Sequence, residues 1–206
     1  MEKTSQAQTR AERPSAKALA TRNALLELAA RMFAERGYVE TSMRDIAKAA
    51  SLTTGSLYGH FRNKADLLAE VLNLRIVDEF GADHPSSVDE ENMRTGLASF
   101  AVNFPRREEL RALIVQGAAA AQTDEETRNR LHDTHGAHLE RWIAGYEHER
   151  EVLGIDPSVD LESAVMMTWA AEIGLGILEV LGISPEPKGW ADAYDRLVRG
   201  LKLPAE

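Results

Sequence analysis

Residues 42–64 read SMRDIAKAASLTTGSLYGHFRNK, and the order of side chains in this stretch decides the fold. Ser42 with Asp45 three residues later has the spacing of a helix N-cap, as does Asn63 with Asp66, and Thr53 or Thr54 can cap the piece between them. The pattern predicts helices over 42–50, 53–61 and 63–80. Ile46, Ala47 and Ala50 offer a core face, and small alanines let a second helix cross close by. Leu57 and Phe61, four residues apart, turn that second helix inward, leaving Thr54, Ser56, Tyr58 and His60 to face outward or sideways.

Two short helices joined by a tight turn at Ser51, Leu52 and Thr53, the second displaying hydroxyls and a phenol, fit a helix-turn-helix. The major groove of DNA admits one helix, and short Thr and Ser side chains let its backbone approach base edges or a thymine methyl group. Tyr58, His60 and Lys64 can reach phosphate oxygens, which sets register rather than sequence preference. A small helical packing unit whose hydroxyls only cap helices has the same pattern.

Working outward, apolar residues recur at helical spacing between clusters of Pro and Gly, with almost no period-two alternation, so the expected class is all-α with about nine helices. A long first helix covers 15–36, with Leu25, Leu28, Ala29, Met32 and Phe33 on one face and Gly37 as its stop. After residue 80 the expected helices are one from Ser87 carrying Leu97, Phe100, Ala101 and Phe104, then 106–122, then a long one capped by Thr123 with Glu126 and reaching 153. Helices over 160–181 and 187–203 close the chain, with Pro187 suited to a first turn. Residues 1–14 are polar and mixed in charge, a flexible tail lacking the apolar stretch of a secretory signal.

A chain of 206 residues with 44% hydrophobic content forms an ordinary core, and the absence of Cys excludes disulfides, thiolate metal sites and Cys nucleophiles. The net charge of −9 is unevenly spread: residues 1–64 hold 11 Lys and Arg against 6 Asp and Glu, and residues 65–206 hold 13 against 27. A basic N-terminal module on an acidic body suits a polyanion at one end. No GxSxG, GxxxxGK[ST] or HExxH occurs, so no catalytic residue, resident metal or cofactor is expected. The apolar tract 161–182 is long enough to span a membrane, but it carries Glu162, Glu172 and Glu179 without basic flanks. It reads as a buried helix of a soluble, cytoplasmic protein with no membrane partner.

The succession of a first helix ending AxxxFAERGY, then TSMRDIAKAA, then TTGSLYGHFRNKADLL resembles the N-terminal domain of the tetracycline-repressor (TetR) family of bacterial transcriptional regulators, over about residues 20–72. The resemblance implies a helix-turn-helix DNA-binding domain over 15–62 and an effector-binding and dimerisation domain over 63–206. It places Thr41 and Ser42 at phosphates, Arg44 near the backbone or groove edge, and Thr53, Thr54, Gly55 and Ser56 near bases. Tyr58 and His60 clamp phosphates, and Lys64 adds a contact at the positive end of its helix. Gly59 departs from the pattern, standing where many members have an aromatic or basic residue.

The function implied is a repressor that binds a palindromic double-stranded DNA operator as a homodimer and is released by a small, largely apolar effector. Against this stands a helical ligand-binding or interaction module without specific DNA binding. The last two helices are the expected dimer interface, through Ala164, Ala171, Leu175, Tyr194, Leu197 and Val198, because a helix apolar almost all round must be covered on two sides. Glu172 and Glu179 share a face that fits a solvent edge, an interface ion pair or a ligand contact, and the solvent edge is expected, since buried carboxylates are costly unless paired. The resemblance makes Phe100, Phe104, His135, Trp142, Met166 and Trp169 candidate effector contacts, where aromatic and Met residues at helical spacing otherwise read as core. His132, His135 and His138 form an HxxHxxH run, but steps of three spread the rings around the helix, so no metal site is expected.

Overall fold

The structure is a computed structural model that describes residues 16–80, 107–148, 150–151 and 154–200. The described residues form eight helices: α1 (Ala16–Arg36), α2 (Met43–Ala49), α3 (Thr54–Tyr58), α4 (Lys64–Phe80), α5 (Glu108–Ala121), α6 (Glu125–His148), α7 (Leu161–Val180) and α8 (Pro187–Arg199). The all-α class holds. The further helix expected from Ser87, with Phe100 and Phe104, lies outside the described residues.

α1 buries Leu25, Leu26, Ala29, Ala30, Met32 and Phe33, a stripe of positions three and four apart. It stops where expected, at Gly37, whose φ of +90° suits glycine and whose N–H donates to the Phe33 carbonyl at 2.9 Å. α4 is buried nearly all round, through Ala65, Leu67, Leu68, Val71, Leu72 and Ile76, because α1 packs on one side and α5 and α6 on the other. One apolar core therefore runs from Leu25 in α1 through α4 and α5 to Trp142 in α6 and Val165 in α7. α7 lies chiefly on α5, and the two approach so closely that a Cβ on Gly176 would stand 2.9 Å from Arg111 Cβ and 3.1 Å from the Arg111 carbonyl oxygen.

Three sequence expectations are corrected. The cap of α6 is Asp124, whose carboxylate accepts from the Thr127 amide at 3.3 Å, rather than Thr123. α6 also ends at His148 rather than 153, and the chain then folds back so that Arg150 donates to the Asp156 and Val159 carbonyls. Glu172 and Glu179 are not at a solvent edge: both turn toward α5. Glu179 takes a two-bond grip from Arg111 at 2.6 and 2.7 Å, and Glu172 lies between Arg111 and Arg107 at 3.6 and 3.7 Å. Arg107 also pairs with Glu79 of α4 at 2.9 Å. Burial pushes the Glu172 carboxyl above its ordinary range, and the two guanidiniums pull it back. The cost that argued against burial is thus met by paired opposite charge.

α7 is the one helix among the described residues long and apolar enough to cross a membrane. Its inner side is held by α5. Its outer side leaves Met167 72% and Val180 67% exposed, so among the described residues one of the two faces that the sequence predicts to be covered is left open.

Candidate nucleic-acid interface

The α2–α3 unit is built by local caps. Ser42 and Asp45 form a complete capping box: the Asp45 amide donates to Ser42 Oγ at 3.2 Å, and the Ser42 amide donates to Asp45 Oδ2 at 3.0 Å. These bonds hold the Asp45 carboxyl below its usual value. The turn is made by Ser51, a non-glycine residue at φ +57°, and by the Leu52 amide donating to the Ala47 carbonyl at 2.8 Å. Thr53 then caps α3, its Oγ1 accepting from the Ser56 amide at 3.1 Å and lying 2.9 Å from Ser56 Oγ.

Leu57 and Phe61 are fully buried and fix the roll of α3. Gly55, Ser56 and Tyr58 consequently face out, Tyr58 half exposed, and Thr54 is half-buried at the helix start. Arg44 and Ser42 are exposed on the neighbouring α2 end, and His60 is half-buried at the close of the unit. Gly59 is the C-cap at φ −69°, a conformation open to any residue. Its lack of a side chain is therefore not imposed by the backbone.

Two of the expected phosphate contacts take other roles. Thr41 is 1% exposed, and its hydroxyl sits 2.8 Å from the Gly37 carbonyl and 3.3 Å from that of Met32, so it is a buried tie between α1 and the following loop. Lys64 lays its ammonium 4.3 Å from the centre of the Tyr38 ring and donates to the Tyr38 and Val39 carbonyls at 2.9 and 3.2 Å. Desolvation there lowers its pKa. Lys64 pins the α1–α2 loop, with a third N–H left for an anion.

Sequence reading missed the residues that hold this unit to the body, because their partners are distant in the chain. Tyr38 donates its amide to Gln116 Oε1 at 2.6 Å, and its hydroxyl meets Thr127 Oγ1 at 3.1 Å. Asp66 accepts from the Arg62 amide at 3.1 Å and pairs with Arg130 of α6. Arg22 of α1 stacks on Phe61 at 4.5 Å and donates to the His60 carbonyl. The only sequence signal for these contacts is polar residues interrupting otherwise apolar faces.

The effector candidates separate. His135, Trp142 and Trp169 come together, with His135 5.6 Å from Trp169 and the two indoles edge-to-face at 5.0 Å. Burial, then the neighbouring His138, push the His135 imidazole down to about 4, and its Nδ1 is buried without a hydrogen-bond partner. Met166 is 53% exposed and is not among the side chains packed on the core beside Trp169, so it does not join them. The three histidines diverge as expected: His132 is exposed, and His138 is buried with its Nε2 3.0 Å from Asn73 Oδ1. Among the described residues no group of side chains could hold a metal ion.

Of the dimer candidates, Ala164 and Ala171 are half-buried and Leu197 is 74% exposed. Leu175 is corrected: it is 1% exposed within the single chain, packed on Ala191, and cannot meet a partner. Tyr194 packs beside it, and burial pushes its phenol up to about 12. The Val198 side chain lies outside the described residues.

Residues 25–71 match the model of "Bacterial regulatory proteins, tetR family". Over 60 residues the chain is 48% identical to the HTH-type transcriptional repressor KstR2 of Rhodococcus jostii, a match that spans 29% of this chain and 29% of that protein. Similarity of fold extends much further. Salmonella enterica GusR superposes with a TM-score of 0.70 at 23% identity, covering 91% of this chain and 97% of that one. A TetR transcription regulator from Haloarcula marismortui gives 0.68 at 17% identity, covering 89% and 98%. The segment 25–71 is thus a helix-turn-helix of the tetR type, and the all-helical fold of the chain is similar to that of these regulators.

Proposed function

We propose that the protein is a homodimeric transcriptional repressor that binds a palindromic double-stranded DNA operator in the cytoplasm and releases it when a small, largely apolar molecule occupies its body. The observation that carries this reading is the presentation of α3: Leu57 and Phe61 are clamped in the core while Gly55, Ser56 and Tyr58 stand free on the opposite side. Thr53, Thr54, Gly55 and Ser56 approach base edges, and Ser42, Arg44, Tyr58 and His60 meet phosphates. The functional division falls near residue 62, with DNA contact before it and effector binding and dimerisation after it.

One such helix reads only a few base pairs, so two copies are needed on a two-fold site. The exposed outer side of α7, with Met167, Ile177 and Val180, and Leu197 on α8 are an apolar surface suited to self-association through the last two helices. His135, Trp142 and Trp169 mark where the effector sits. Its binding shifts α4, which touches α1 on one side and α5 and α6 on the other, and so changes the spacing of the two recognition helices. The repressor named KstR2, similar over the DNA-binding segment, favours repression over activation.

The test is binding to DNA from upstream of the protein's own gene, at fixed near-physiological salt with excess nonspecific competitor. Retained binding with two protomers per site is the expected result. Loss of binding with competitor, on every upstream fragment tried, removes the operator reading.

A further inference from the structure

α6 begins where the α2–α3 unit meets α4, and three side chains in its first two turns are bonded to residues that frame that unit. Glu126 accepts from the Asn63 side-chain amide, Thr127 Oγ1 meets the Tyr38 hydroxyl at 3.1 Å, and Arg130 pairs with Asp66. Thr127 is fully buried, and Tyr38 and Asp66 are nearly so. The direction of the Thr127 bond follows from its single proton: the Thr127 hydroxyl donates to the Asp124 carboxylate, so Tyr38 is the donor to Thr127. Asn63 and Asp66 are the cap of α4, the Asp66 amide donating to Asn63 Oδ1 at 2.7 Å and the Arg62 amide to Asp66 Oδ2 at 3.1 Å. Both members of that cap are therefore held from outside by α6. Two residues before the cap, Phe61 is buried in the core, and its amide donates to the Leu57 carbonyl at 3.0 Å, which ties the cap to the end of α3.

We infer that Thr127 and Arg130 are positioning residues for DNA recognition: they set the orientation of α3 through Tyr38 and Asp66 and touch no DNA themselves. The inference rests on the reading of α3 as the DNA-facing helix. α3 has five residues, too few for a helix to hold its shape alone, so its orientation is imposed by what grips its two ends. Leu57 and Phe61 fix its roll through apolar contact, which is non-directional, and the bonds from α6 add a directional restraint at the α4 cap. The two guanidiniums at Asp66 are unequal: the Arg62 side chain is 72% exposed and that of Arg130 28%, so the Arg130 pair is the better shielded from water and salt. Tyr38 carries the same restraint to the α1–α2 loop, which leads into Ser42 and the start of α2. α6 is continuous from Glu125 to His148, and Trp142 lies twelve residues beyond Arg130, about 18 Å along the helix axis. The residues proposed to meet the effector and those that hold the α4 cap thus stand on one helix, which gives the body a route to α3 that does not pass along α4.

The experiment measures amide hydrogen exchange of the full chain by NMR, reading Leu57 and Phe61 against Leu113 and Ile114 of α5, so that a global loss of stability, which speeds both pairs, cancels in the ratio. Arg130→Gln, Thr127→Val and Tyr38→Phe are each expected to speed exchange at Leu57 and Phe61 by about tenfold relative to α5. Tyr38→Phe removes the Thr127 bond from the other side and answers the question if Thr127→Val does not fold. Thr127→Ser, which keeps the hydroxyl, and Arg128→Gln, at an exposed neighbouring position, are expected to leave the ratio unchanged. On DNA from upstream of the protein's own gene, Arg130→Gln should weaken binding with an unchanged salt slope, since it removes no phosphate contact. The inference is overturned if the ratio stays at the parent's value in Arg130→Gln and Tyr38→Phe, or if Arg130→Gln lowers the salt slope by about 1, which makes Arg130 a phosphate contact. If the ratio changes but no upstream fragment binds the parent, the restraint on α3 stands and the DNA-binding reading falls.

Discussion

Replacing Gly176 by Ala tests how tightly α7 is locked to α5. The new methyl carbon would stand 2.9 Å from Arg111 Cβ, 3.1 Å from the Arg111 carbonyl oxygen and 3.2 Å from Val115 Cγ2. Carbon atoms in comfortable contact are about 3.5–4.0 Å apart, so the helices must part by roughly half an ångström or more. Two of the three obstacles are Cβ and backbone atoms that no side-chain rotation can move. Overpacking of this kind costs about 1–3 kcal/mol. The exchange of Gly for Ala in a helix interior returns about 1 kcal/mol through propensity, leaving a net loss of up to about 2 kcal/mol. Gly136 in α6 is the control, since a Cβ there meets nothing within 4 Å, and Gly136→Ala should gain about the full 1 kcal/mol. In a chain of this size each kcal/mol moves the midpoint by about 2–4 °C, so the two variants should melt on opposite sides of the parent. Thermal and urea unfolding followed by circular dichroism, at one protein concentration, reads the difference. If Gly176→Ala is as stable as Gly136→Ala, the α5–α7 contact is looser than described and the burial of Arg111 loses its cause.

Removing a buried charge partner has a larger effect: Glu179→Ala strips Arg111 of its two-bond carboxylate and should cost about 3 kcal/mol in urea unfolding, whereas Lys188→Ala, which breaks an exposed pair with Asp192, should leave the unfolding midpoint nearly where it is. His135 has a folded-state value of about 4 against an ordinary 6.5. Its neutral form is favoured in the folded state, so its contribution is present above about pH 6.5 and is lost as pH falls toward 4; between pH 7 and 5 the loss is about 2 kcal/mol, and His135→Phe should remove that part of the slope. On DNA, Tyr58→Ala should weaken binding on all sequences by about tenfold, Thr54→Ala should change sequence preference, and Arg44→Ala should lower the salt slope by about 1, all read by titration at several salt concentrations. Unchanged affinity in Tyr58→Ala sinks the proposed docking.

The helix-turn-helix unit was legible because its determinants are local. Ser42 with Asp45 and Asn63 with Asp66 cap helices three residues away, and Leu57 with Phe61 orient α3 through a four-residue spacing, so a short window contains the whole argument. Thr41 was misread for the same reason turned around: next to Ser42 it looks like a second free hydroxyl, and only the return of the loop over α1 buries it. Glu172 and Glu179 were misread because the arginines that pair them lie about sixty to seventy residues earlier, at the N-cap and in the first turn of α5. Periodicity finds an apolar face, but it does not say which carboxylate will find a guanidinium across a helix crossing. Leu175 shows the converse, an apolar residue assigned to a partner chain that α8 already covers.

Two kinds of bond hold α4 and the α1–α2 loop in place, and they differ in how they respond to movement. The apolar core through Leu68, Leu72, Leu113 and Ile114 is non-directional and tolerates small sliding of α4 on α5. The polar ties are directional: Tyr38 to Gln116 and Thr127, Asp66 to Arg130, Arg75 to Glu27 and Glu109, Arg107 to Glu79. A shift of about an ångström takes a hydrogen bond out of its working range while leaving an apolar contact nearly intact. Movement of α4 is therefore limited by the polar ties rather than by the core, and any ligand that changes the position of α4 does so by exchanging these partners. Because Arg75 holds α1 and α5 at once, it is the tie through which displacement at the body end of α4 reaches the first helix.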